Sequence, residues 1–217
     1  MILLTGFEPF GGETVNPSWA AAQLAAAALR SAGHDAAAVE LPCVFERSAE
    51  VLRSAVGQVK PTVVLCVGQA GGRSKVSIER VAINVDDARI PDNAGTAPID
   101  QPVRTDGPAA YFSTLPIKAG MAAVAAAGIP VEISQTAGTY VCNHVFYALM
   151  DILAGLDGVR GGFIHVPYST GQGSQHGLPG LDVGDMAEAL TLVATAALTA
   201  DGTLRHGDLR LAAGAEH

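Results

Sequence analysis

Aromatic residues are scarce in this 217-residue chain, at 5% with a single tryptophan, and charged residues reach only 16%. Basic runs are missing altogether. With a formal net charge of −8, the chain carries no electrostatic footprint for phosphate backbones or anionic lipid, which argues against nucleic acid and membrane surfaces as partners. Long apolar runs are absent too. The alanine-rich stretches 20–29 and 190–200 fall short of the roughly 20 residues that span a bilayer. The first residues meet Gly6, Pro9 and Gly11 before a signal-peptide core could form. Three cysteines are too few and too odd in number for a disulfide scaffold, and they suit free thiols in a reducing compartment. The expected location is the cytoplasm.

What is present is a hydrophobic fraction of 49%, enough to build one sizeable core without staples. We therefore read residues 1–217 as a single domain, with a tail from Asp201 free to fray. Short apolar, β-branched runs at 1–4, 37–41, 62–67, 131–134 and 162–166 read as strands. Between them, 19–30, 48–56, 116–127, 143–153 and 185–199 carry helix formers without internal proline. Near-continuous apolar strands such as Val63-Val64-Leu65-Cys66-Val67 fit a sheet buried on both faces. The expected fold is α/β, a three-layer α/β/α sandwich around a twisted, mostly parallel mixed sheet. Residues 76–90 read as extended and able to form a hairpin. The segment 91–108, rich in Pro, Gly, Asp and Asn, reads as a functional loop.

The cysteines differ in setting. Cys66 lies mid-strand and reads as a small core hydrophobe. Cys43 follows Pro42 at a strand end, where lining a pocket and packing are equally open. Cys142 falls where a strand exit gives way to a helix. There, unpaired N–H groups and the helix dipole favour thiolate and could hold an oxyanion. The same residue also heads an apolar stripe through Phe146, Leu149 and Leu153, and local sequence does not decide between the two roles.

A cysteine nucleophile needs an imidazole. His165 ends a strand just before Pro167, at the sheet end where α/β ligands bind. His144 is nearer in sequence, but two residues along a helix point about 200° apart. His34, His206 and His217 read as surface residues, and His176 sits in a Gly-rich loop. No histidine pair has zinc-site spacing. Glu79, among Ile78, Val81 and Ile83, would orient an imidazole if buried, or would pair with Arg80 or Arg73 on the surface, the commoner fate of a glutamate. The glycine loops at 6–12 and 68–73 match neither a Walker loop nor a dinucleotide fingerprint.

Five blocks in order are more specific. Leu4-Thr5-Gly6-Phe7-Glu8-Pro9-Phe10-Gly11-Gly12, Gly68-Gln69-Ala70-Gly71-Gly72-Arg73, Glu79-Arg80-Val81-Ala82-Ile83-Asn84, Gly138-Thr139-Tyr140-Val141-Cys142-Asn143-His144 and Gly162-Phe163-Ile164-His165-Val166-Pro167-Tyr168 together resemble the pyroglutamyl peptidase I family of cysteine peptidases. Arg89-Ile90-Pro91-Asp92-Asn93 adds to the resemblance, which runs from about residue 2 to 168.

The resemblance implies catalytic roles for Cys142 as nucleophile, His165 as base then acid, and Glu79 as the group orienting His165. It implies acyl transfer from peptides with an N-terminal pyroglutamyl residue, no cofactor, no metal, and a homotetramer or dimer. It places the lactam ring among Phe7, Phe10, Tyr140 and Val141, with Gln69 and Ile90 close by and backbone near Ile90 or Cys43 supplying polar contacts. Two residues depart from the family pattern: Tyr140, where phenylalanine is usual, and Cys43, where threonine is usual. Both bear on affinity rather than mechanism. Two other readings compete: a phosphorylase-type transferase using Arg73 and Arg89 as anion ligands, and a binding protein that makes no use of Cys142.

Overall fold

The structure is a computed structural model and describes residues 1–200 and 208–214. Its centre is a six-stranded sheet whose strands are β1 (Ile2–Phe7), β2 (Ala36–Leu41), β3 (Val63–Gln69), β4 (Val76–Glu79), β7 (Val131–Ser134) and β8 (Arg160–Val166). Their spatial order is β2-β1-β3-β8-β4-β7. Every neighbouring pair is parallel except β4 with β8, so the sheet is mixed and mostly parallel, as the sequence implies.

Period-two alternation splits β1, β2, β3 and β8 between two cores. Leu65 and Val67 face a core with residues of α1 (Pro17–Ser31), α3 (Ile117–Ala126) and α6 (Val183–Thr199). Val64, Cys66 and Phe163 face the opposite core, with α2 (Phe45–Val59) and α4 (Val141–Leu153). The central strand β3 is buried along its whole length, which is why its apolar residues run without polar interruption. Among the described residues, no helix is long and apolar enough to cross a membrane.

Two expectations need correction. Residues 76–90 form no hairpin: β4 joins the main sheet, while β5 (Val81–Ile83) pairs antiparallel with β6 (Ala110–Phe112). Arg80 alone separates β4 from β5, too little chain for a hairpin turn. A short helix, α5 (Thr170–His176), was not foreseen in the loop after β8. It is closed by a capping box between Ser169 and Gln172 and by Gly177 in the left-handed region. It follows β9 (Tyr168–Ser169), which pairs with β10 (Gly180–Leu181). The tail expected to fray lies largely outside the described residues, but Asp208 accepts from the Lys118 and Ala119 N–H groups at the start of α3.

Candidate active site

The carboxyl ends of β1, β3 and β8 lie side by side and open beneath the N-terminus of α4. Gly68 stands opposite His165 in the β3–β8 ladder. A Cβ on Gly68 would lie 2.7 Å from Cys142 Sγ and 2.8 Å from the Phe163 ring. The missing side chain therefore leaves room for the thiol to sit on the strand beside the imidazole. Cys142 is the second residue of α4, whose first intrahelical bond runs from His144 N–H to Tyr140 C=O at 3.1 Å. The N–H groups of Val141, Cys142 and Asn143 precede that bond and lie at the positive end of the helix.

His165 is 3% exposed and Glu79 0%. Nδ1 of His165 lies 2.7 Å from Glu79 Oε1. The same oxygen accepts from Arg73 Nη1 at 2.7 Å, while Arg73 Nη2 donates to Thr136 C=O at 3.1 Å. The sequence offered Glu79 either an imidazole or an arginine; the fold gives it both, in the interior. Arg80 turns away to Gln135 Oε1 at 2.9 Å.

Burial pushes the Cys142 thiol well above its ordinary range, Cys43 and Glu79 add to the rise, and Arg73 opposes it. The positive end of α4 at this position acts in the opposite sense and favours the thiolate.

The six residues expected around a ligand divide. Phe10 and Tyr140 form a tilted aromatic pair at 6.0 Å beside the thiol. The Tyr140 hydroxyl donates to Pro91 C=O at 3.0 Å, which brings the Ile90–Pro91 segment close to Tyr140, although the Ile90 side chain is 46% exposed. Phe7 is buried against Phe163 with centroids 6.5 Å apart, and Val141 is fully buried. Both belong to the core beneath the site. The amide oxygen of Gln69 accepts from Gln172 Nε2 at 3.2 Å. The Cys43 N–H, expected to be on offer, donates to Glu8 Oε1 at 3.0 Å, and its carbonyl accepts from Asn93 N–H at 3.0 Å.

Several residues that build the site escaped the sequence reading. Asn143, fully buried, exchanges bonds with the backbone of Ile83 and Val85 at 2.8 to 3.0 Å and ties β5 to α4. His144, dismissed as a partner for Cys142, pairs instead with buried Asp86 at 2.8 Å. His176 pairs with Glu13 at 2.7 Å, and Gln172 bonds Glu13 as well, joining α5 to the loop after β1. An asparagine in the first turn of a largely apolar helix is the one local signal among these, since asparagine is a poor helix former unless its amide is engaged.

Fold and site together define a cysteine peptidase built on an α/β/α sandwich. The family model described as pyroglutamyl peptidase matches residues 1–200. A pyrrolidone-carboxylate peptidase of Streptomyces coelicolor is 54% identical over 217 residues, covering 100% of this chain and 99% of that protein. One from Escherichia fergusonii is 52% identical over 218 residues with the same coverage. The crystal structure of pyroglutamyl peptidase I from Bacillus amyloliquefaciens aligns with a TM-score of 0.86 at 44% identity, covering 95% of this chain and 96% of that one. A mutant pyrrolidone carboxyl peptidase from Pyrococcus furiosus aligns with a TM-score of 0.83 at 40% identity, covering 91% and 97%. The chain belongs to the pyroglutamyl peptidase family.

Proposed function

We propose that this chain hydrolyses the amide bond after an N-terminal pyroglutamyl residue, with Cys142 as nucleophile, His165 as general base and acid, and Glu79 holding His165. The observation that carries the assignment is that three groups converge on one sheet end: Cys142 Sγ lies against Gly68, Gly68 stands opposite His165 in the β3–β8 ladder, and His165 Nδ1 lies on Glu79.

An anionic carboxylate only accepts hydrogen bonds, so Nδ1 of His165 carries the proton and Nε2 presents a lone pair. Nε2 takes the thiol proton as sulfur bonds to the pyroglutamyl carbonyl carbon. The first-turn N–H groups of α4 receive the developing oxyanion. Collapse breaks the C–N bond, and the departing amine takes the proton back from Nε2. Water, deprotonated by His165, then cleaves the thioester and releases pyroglutamic acid and the free thiol.

The lactam ring has apolar faces and a polar edge, which suit the wall made by Phe10 and Tyr140. An uncyclised N-terminal glutamine would bring an ammonium group into this apolar setting at a desolvation cost. The transferase reading is disfavoured by Arg73, whose guanidinium is engaged by Glu79 and Thr136. We take residues 1–217 as one working domain in the cytoplasm, assembling as a dimer or tetramer that sedimentation would measure.

The test is hydrolysis of pyroglutamyl-coumarin amide and of the glutaminyl analogue by wild type and Cys142→Ser under reducing conditions. Cleavage of the lactam substrate alone, by wild type alone, is expected. Wild-type rates in Cys142→Ser would refute the nucleophile assignment.

A further inference from the structure

Glu79 has no exposed surface, and its two close partners share one oxygen. Arg73 Nη1 and His165 Nδ1 each lie 2.7 Å from Oε1, while Oε2 is buried with no hydrogen-bond partner. Native interiors seldom leave a carboxylate oxygen unpaired. Compensation for the buried charge therefore rests on Oε1 and on two residues, of which Arg73 alone is cationic irrespective of the catalytic cycle.

We propose that Arg73 is a positioning residue for the hydrolysis: it holds Glu79 as an oriented anion and thereby keeps the His165 proton on Nδ1. The proposal rests on the assignment of Cys142, His165 and Glu79 above. Its logic is one of donors and acceptors. With Arg73 in place, Glu79 can only accept, so His165 must donate from Nδ1 and Nε2 stays bare toward the thiol. Without the guanidinium, a carboxylate enclosed on all sides is left to take up a proton. A protonated Glu79 donates to Nδ1, the imidazole proton moves to Nε2, and the base is lost.

The anchoring of Arg73 supports this role. The residue belongs to the Gly-rich turn after β3, where Gly72 has φ +89° and Arg73 N–H donates to Ala70 C=O at 3.3 Å. Its Nη2 bond to Thr136 C=O fixes the guanidinium against the segment leading to α4. One side chain thus joins the β3–β4 turn, the carboxylate and the approach to Cys142. The side chain is 28% exposed, so it reaches Glu79 from the protein surface and bears little of the core itself. Its charge also opposes the rise of the Cys142 thiol.

The experiment combines steady-state kinetics on pyroglutamyl-coumarin amide with 15N spectra of histidine-labelled full chain, the His165 signals being assigned by their loss in His165→Gln. For wild type, His165 is expected as the Nδ1–H tautomer. For Arg73→Met, the Nε2–H tautomer is expected, with kcat lower by on the order of 100-fold and KM within about threefold. Arg73→Lys is expected to restore the tautomer and part of kcat. Retention of the Nδ1–H tautomer, or of kcat, in Arg73→Met overturns the proposal. If Arg73→Met does not fold, Arg73→Gln, which keeps a donor without the charge, undergoes the same two measurements with the same criteria. Parallel assays of Glu79→Gln and Cys142→Ser separate the failures: full activity there removes the underlying assignment, whereas inactivity there with an unaltered Arg73→Met removes only the role of Arg73.

Discussion

The α-carbon of Gly68 faces the sulfur of Cys142 so closely that a methyl group at position 68 would lie 2.7 Å from it, nearer than van der Waals contact permits. The thiol occupies the space that the side chain of residue 68 would fill. Gly68→Ala should therefore displace Cys142 and the Phe163 ring together. We expect loss of most peptidase activity with destabilisation of about 1–3 kcal/mol, the usual range for overpacking. Activity assays paired with urea titration measure both, and a fully active Gly68→Ala would place the working thiol elsewhere.

Tyr140 is the family departure with a visible consequence. Its hydroxyl donates to Pro91 C=O and fastens the loop that follows Arg89 to the pocket wall. Tyr140→Phe keeps the ring but removes the tether, worth about 0.5–1.5 kcal/mol. KM for pyroglutamyl substrates should rise severalfold while kcat holds. A fall in kcat with unchanged KM would show that the hydroxyl acts on the reaction itself.

Asn143 follows the thiol in sequence and carries three backbone bonds, two to Ile83 at the end of β5 and one to Val85 just beyond it. Asn143→Ala leaves those buried groups unpaired and should cost about 2–4 kcal/mol, since each unsatisfied group costs about 1–3 kcal/mol and water can reach some of them. Chemical denaturation reads this loss. Activity should fall with it, because the same bonds hold the helix that presents Cys142.

Burial pushes the Cys43 and Cys66 thiols up to about 12 from a reference of 9.0. The sign follows from proton counting. Above the ordinary thiol value the unfolded chain releases these protons while the folded chain keeps them, so unfolding is favoured as pH rises. The contribution is complete below that value and is lost progressively as pH climbs toward about 12. Melting temperature should decline from pH 8 to pH 10.5, and Cys66→Val should flatten the slope. An unchanged slope in that variant would assign the decline to other groups.

The layers of the fold were legible because their signals are local and repetitive. The apolar run of β3 and the alanine-rich faces of α1 and α6 announce burial on both sides of a sheet. Cys142 was locally ambiguous, and only the ordered blocks around it resolved its reading. Pairings across long sequence distances left no local trace: His165 with Glu79 spans 86 residues, and His144 with Asp86 spans 58. Helical geometry made His144 the poorer partner for Cys142 but could not supply Asp86. The upward push on the Cys142 thiol was also out of reach, since desolvation depends on what the folded chain packs around the sulfur.

The central claim is that Cys142 carries the pyroglutamyl group during turnover, and acid-quenched peptide mass spectrometry tests it most directly. Full-length protein mixed with an activated pyroglutamyl ester and quenched within one turnover should show a pyroglutamyl adduct on the peptide containing Cys142, and none in Cys142→Ser. An adduct confined to Cys43, or rapid turnover by Cys142→Ser, would contradict the account.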